Sequence, residues 1–168
     1  MNLQELHTST LTLQRNDYLK VANTLDTNIY FVESGSLRIF ILDGSEEQII
    51  RFGYSDNIIV ALDSFLSEKP SEFYIQAIKK TVVKVIPKSV FYEFVGQSEE
   101  NKKVFIKMLE DLILQQMERE KDILTSSPKE RYNRVLARSP RLFQEIPNKY
   151  IANYLRMSPE TLSRLKKS

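Results

Sequence analysis

The 168-residue chain carries a formal charge of only +2, is 42% hydrophobic, and contains no cysteine and a single histidine, His7. That length holds one ordinary domain or a domain with a small appendage, and the hydrophobic fraction supports a real core. Without cysteine there are no disulfides, iron–sulfur clusters or Cys-ligated zinc, and one histidine near the N-terminus leaves nothing to build a Ser-His triad or a His-based metal site, so no cofactor and no enzyme are expected.

From about Thr10 to Pro87 the chain reads as a run of short strands rich in β-branched and aromatic residues. The expected strands are Leu11–Leu13, Tyr18–Val21, Asn28–Glu33, Ser36–Leu42, Gln48–Phe52, Asn57–Ala61, Phe73–Ile78 and Thr81–Ile86. Glu33-Ser34-Gly35, Asp43-Gly44-Ser45 and Tyr54-Ser55-Asp56 supply the turns, with Asp43-Gly44 a plain hairpin signal. Strands at this spacing predict a barrel or jelly-roll, interrupted by one helical turn at Asp63–Leu66.

From Lys88 the hydrophobic period changes. Val90, Phe91, Phe94 and Val95 fit a short helix. Asn101 to Leu124 has no Gly or Pro and places Phe105, Met108, Leu109, Leu112, Ile113 and Met117, then Ile123, on one stripe of a long amphipathic helix. That stripe is wide enough to cover a barrel and also meet a second copy of itself. Thr125-Ser126-Ser127-Pro128 ends the helix and forms a hinge, followed by a helix near Lys129–Arg138 and a break at Ser139-Pro140.

The last segment, Lys149 to Lys167, predicts two short helices around a tight turn. Ile151, Leu155, Leu162 and Leu165 have the spacing to bury one face of each helix, and Ala152 is small where the helices cross. Ser158-Pro159 is a strong helix start, because Ser accepts from free backbone N–H groups and Pro fits the first helical position. This is the spacing of a DNA-reading helix-turn-helix, with an ordinary helical hairpin as the simpler alternative. One departure is that the turn position that usually holds Gly holds Arg156, where a left-handed backbone would cost roughly 1 kcal/mol relative to Gly. Charge follows the same division. Residues 127–168 hold ten Lys or Arg and three acids, a net +7, whereas residues 1–126 hold 14 basic and 19 acidic residues, a net −5. A basic appendage on an acidic body suits a polyanionic partner.

In this order of parts the chain resembles the Crp–Fnr family of bacterial transcription regulators. Glu130 to Lys167 is similar to the winged-helix DNA-binding domain of the family's short members, and Tyr30–Arg38 to the strand–Gly–strand corner of its sensory β-roll. The resemblance implies an α+β fold with three parts: a cyclic-nucleotide-binding-like β-roll over residues 1–98, a long dimerisation helix and hinge over 99–126, and a helix-turn-helix domain over 127–168. It also implies a cytoplasmic homodimer, a palindromic double-stranded DNA site and RNA polymerase as a further partner. Met108, Leu109, Leu112, Ile113 and Gln116 are expected to line the dimer seam. No apolar run approaches the roughly 18 residues of a membrane span, and no signal-peptide core is present, so no membrane partner is expected. The sequence stops at Ser168, one helix after the motif, so a β-wing is expected to be missing from it.

On the second helix Glu160 and Arg164 lie four apart on one face. In the family the matching pair contacts base edges, a Glu accepting from cytosine and an Arg gripping guanine. A surface ion pair is the simpler alternative. Lys149, Ser158, Thr161, Ser163, Lys166 and Lys167 are the candidates for phosphate contacts and helix placement, which position but do not specify.

The cyclic-nucleotide site departs from the family pattern. Cyclic-AMP-binding members use a Gly-Glu pair at a short helix and an Arg-Ser or Arg-Thr pair a few residues on, the Arg neutralising the phosphate. Here the helix is Ala61–Leu66, the Arg and Ser positions fall on Ser71 and Glu72, and no Arg lies between Arg51 and Arg119. Lys69 is a possible point-charge substitute without bidentate geometry. Asp63, Ser64, Ser71 and Glu72 mark the effector corner, and the expectation is the fold without the standard ligand, serving another small-molecule effector or none. Two rivals remain. A cupin- or isomerase-type enzyme would have only Asp63 with Glu72 to work with. A ligand-binding or protein-interaction module of the same fold would not bind specific DNA.

Overall fold

The computed structural model describes residues 3–167, and the chain folds as two compact units, Met1–Gln97 and Ser98–Ser168. In the first unit all eight expected strand segments form strands: β1 Ser9–Leu13, β2 Tyr18–Lys20, β3 Ile29–Ser34, β4 Ser36–Asp43, β5 Glu46–Tyr54, β6 Ile58–Val60, β7 Tyr74–Ala77 and β8 Thr81–Ile86. They make two four-stranded antiparallel sheets, in the orders β1-β8-β3-β6 and β2-β7-β4-β5. Alternation along the strands sends Tyr30, Val32, Ile59, Val83 and Val85 of one sheet, and Leu37, Ile39, Ile75 and Ala77 of the other, into a common core.

Turn chemistry sets the connections. Gly44 has φ +61° in the hairpin that pairs Asp43 with Glu46. Gly35 has φ +93° between β3 and β4, and a Cβ there would lie 2.4 Å from the Lys80 carbonyl, so only glycine fits. The expected helical turn is α1 Leu62–Ser67, and α2 spans Lys88–Gly96.

In the second unit α3 runs over Glu99–Leu124, with the Ser98 hydroxyl accepting from the Asn101 N–H and two acids in its first turn. Ser127 caps α4, Pro128–Arg138, with Pro128 at the first helical position. After the Pro140 break comes α5, Leu142–Glu145, a single turn that periodicity is too short to reveal. Then α6, Asn148–Tyr154, and α7, Pro159–Leu165, flank the tight turn. Arg156 does adopt the left-handed backbone, at φ +53°. The Met157 N–H closes the turn on the Ala152 carbonyl at 3.0 Å. Ile151, Ala152, Leu155 and Leu162 are buried as the spacing requires, but Leu165, in the last turn of α7, is only half-buried. No helix among the described residues is long and apolar enough to cross a membrane.

Candidate functional site

α7 starts from Ser158, whose Oγ accepts from the Thr161 N–H at 3.2 Å and lies 3.1 Å from Thr161 Oγ1. Burying Leu162 leaves Glu160, Ser163, Arg164 and Lys167 exposed on the outer side. Glu160 and Arg164 make no ion pair with each other; Arg164 Nη2 reaches Thr161 Oγ1 at 3.4 Å. The backbone N–H of Glu160 and the Ser158 hydroxyl hold the Glu160 carboxyl below its ordinary pKa, so it is an anionic acceptor at neutral pH. Thr161 is half-buried and engaged with the cap. Lys166 Nζ donates to Asn148 Oδ1 at 2.9 Å, which ties the end of α7 to the start of α6. Lys149 sits 4.6 Å over the Tyr150 ring and is exposed. The outer face of this helix pair thus carries Lys149, Arg164 and Lys167 as exposed cations and Glu160 as the exposed anion.

The effector corner is closed on itself. Ser64 is buried and its Oγ donates to the Lys69 carbonyl at 2.7 Å. Ser71 is buried; its N–H donates to the Thr24 carbonyl, its carbonyl accepts from the Asn23 N–H, and its Oγ accepts from the Phe73 N–H at 3.1 Å. Asp63 and Glu72 are exposed, Asp63 Oδ1 accepting from the Ser64 N–H. Asp63 and Ser64 lie on α1, and Ser71 and Glu72 lie between α1 and β7; Asp63, Ser64 and Ser71 are taken up by local bonds, so the four are not presented as a set of free donors.

The sequence reading missed Lys20, which holds this corner together. It is buried at the end of β2, and its Nζ donates to the carbonyls of Val21, Ser71 and Phe73 at 3.0, 3.0 and 2.9 Å. Burial lowers its pKa, while the charges of Asp63 and Asp26 act the other way. The only signal in the sequence was a lysine inside a short apolar strand, and solvent-facing lysines look the same there.

On α3 the expected seam residues Met108, Leu109 and Leu112 are half-buried, and Ile113 and Gln116 are exposed. Ile106, Leu114 and Met117 are exposed as well, each at half or more of its surface.

Residues 10–98, the region that forms the two sheets, match the family described as Cyclic nucleotide-binding domain. The chain belongs to that family. No curated protein matches it in sequence. Among solved structures it is similar to FixK2 from Bradyrhizobium japonicum at 17% identity and a TM-score of 0.79, over 95% of this chain and 82% of that one. A CooA variant from Carboxydothermus hydrogenoformans aligns at 16% identity and a TM-score of 0.74, over 98% and 77% of the two chains. The catabolite activator protein of Thermus thermophilus aligns at 19% identity and 0.59, over 98% and 78%. These are Crp–Fnr regulators, and this chain shares their fold over nearly its whole length. At the positions where the sequence places the clamp stand Ser71, whose carbonyl and hydroxyl are bonded within the chain, and the exposed Glu72.

Proposed function

We propose that this chain is a cytoplasmic, dimeric, DNA-binding transcription regulator of Crp–Fnr type whose β-roll has lost the standard cyclic-nucleotide clamp. The observation that carries the reading is the helix pair α6–α7. A Ser-capped second helix buries Leu162 and presents Glu160, Ser163, Arg164 and Lys167 outward, within a segment of net charge +7. In this reading α7 is the recognition helix. Arg164 grips a guanine edge, the ionised Glu160 accepts from cytosine N4, and Lys149, Lys166 and Lys167 contact phosphates. Ser158 and Thr161 hold the helix start, with Ser163 at the groove wall.

The 26-residue α3 is the dimer element. Its exposed Ile113 and half-buried Met108, Leu109 and Leu112 gain from burial against a second copy, and Gln116 extends the seam. Two recognition helices read successive major grooves only if they lie roughly 34 Å apart, which suits a palindromic site and a two-fold helix pair. The solved relatives support this reading by fold. RNA polymerase is the natural second partner of such a protein.

In the β-roll, an exposed Glu72 where a cyclic phosphate would sit repels it, and no arginine is there to offset that. The test is selection from a random duplex pool, followed by a gel shift against unrelated DNA. A regulator enriches a two-fold site and holds it against competitor. A chain that dimerises and enriches nothing is an interaction module.

A further inference from the structure

Arg131 is a heavily bonded side chain of the helical unit that the functional reading leaves unused. It lies on the first turn of α4 and is buried, at 9% exposure. Its Nε donates to the Leu155 carbonyl at 2.8 Å and its Nη2 to the Arg156 carbonyl at 3.0 Å. Its Nη1 donates to the carbonyls of Thr125 and Ser126 at 2.6 and 2.9 Å. Thr125 is the C-cap of α3 and Ser126 follows it in the hinge; Leu155 is the C-cap of α6 and Arg156 is the left-handed turn residue that leads to α7. One planar fork therefore spans both places where the helical unit could bend.

Other charged groups reinforce the junction. Asp122, fully buried near the end of α3, accepts from Arg134 Nε at 3.0 Å and is also paired with Arg138. The Arg119 guanidinium sits 3.7 Å from the centroid of the Tyr154 ring, at the end of α6. Buried charges of this kind are weak as a source of net stability, and their best-attested use is to specify one geometry.

We propose that Arg131 is a positioning residue for DNA reading: its guanidinium locks the end of α3 to the turn that launches α7, so that two recognition helices keep one separation. The inference rests on the regulator reading given above. It assigns Arg131 no contact with DNA. A lysine in its place keeps the charge but has no planar fork, and one ammonium cannot serve both carbonyl pairs.

The absence of cysteine allows a test that does not depend on DNA. Gln115→Cys on α3 and Gln144→Cys on α5, both exposed positions, take spin labels in the full-length chain. With Arg131 intact the inter-label distance distribution is narrow; in Arg131→Lys it is about twice as wide or wider. On sites selected by the parent protein, Arg131→Lys loses about tenfold of the discrimination against half-sites moved apart by one base pair, while affinity for an isolated half-site stays within about threefold.

An unchanged distance distribution with unchanged spacing discrimination overturns the inference and leaves the DNA reading standing. A parent protein that enriches no two-fold site overturns the DNA reading and this inference with it. If Arg131→Lys loses its helical circular dichroism, Arg131→Gln is measured in the same way. Loss of helix in both variants assigns Arg131 to folding alone and overturns the inference.

Discussion

The effector corner of the β-roll and the outer face of α7 are built from the same kinds of residue, yet their polar groups have opposite fates. In the corner the Ser64 hydroxyl and the Lys20 ammonium spend their donors on the chain's own carbonyls, and the Ser71 hydroxyl accepts from the Phe73 N–H. On α7, Glu160, Ser163, Arg164 and Lys167 point outward, and Ser158 carries the structural duty of the cap. A buried donor that is already satisfied gains little from a ligand, because it must first give up a bond. An exposed cation beside a polyanion gains by releasing counterions. The contrast favours the helical end as the working surface and the β-roll as the body that carries it.

The largest expected effect is on assembly. Ile113→Glu places a carboxylate in the proposed seam on each copy and should weaken the dimer by about 3 kcal/mol or more, because two unpaired charges would be desolvated together. Light scattering should show monomers, and specific DNA affinity should fall far more than the thermal stability of the β-roll. A dimer that persists with DNA binding intact places the interface elsewhere.

Next is the corner. Lys20→Met leaves the Val21, Ser71 and Phe73 carbonyls without their ammonium and should cost the β-roll about 1–3 kcal/mol in urea unfolding. Calorimetry on the unaltered protein with cyclic AMP or cyclic GMP at tens of micromolar should show no isotherm, since there is no arginine to meet the phosphate. A one-per-subunit isotherm would erase the contrast between the two regions.

On the α7 side, Arg164→Ala should cost about 1–3 kcal/mol on the selected site and relax one base position, whereas Lys166→Ala should weaken all sequences alike. Arg156→Gly is the smallest change. It relieves the left-handed backbone and should stabilise the helical unit by about 0.5–1 kcal/mol, read as a rise in its melting temperature.

The strands and helices were legible because each carries a local signal: β-branched and aromatic residues between turn residues in β3 to β5 and β8, a 3.6-residue stripe in α3, and Ser-Pro starts at α4 and α7. Spacing marked Arg156 as the turn position, and the structure shows that it takes the left-handed backbone there despite not being Gly. What stayed hidden has no period. α5 is one turn long. Lys20 and Arg131 read as surface cations in sequence, and only the long-range approach of residues 71 and 73 to residue 20, and of residues 155 and 156 to residue 131, makes them buried hubs. Asp122 and Arg138 are hidden for the same reason: sequence shows the charge, and the fold decides whether water remains beside it.

The central claim is that a dimer reads DNA through two basic helical heads. Its most direct test is the affinity of the purified protein for its selected two-fold site across a salt series. Neutralising six to eight phosphates predicts a log–log slope of roughly −5 to −7, with binding that saturates at one dimer per site and survives unrelated competitor DNA. Binding that ignores salt, or that competitor removes completely, would contradict the account.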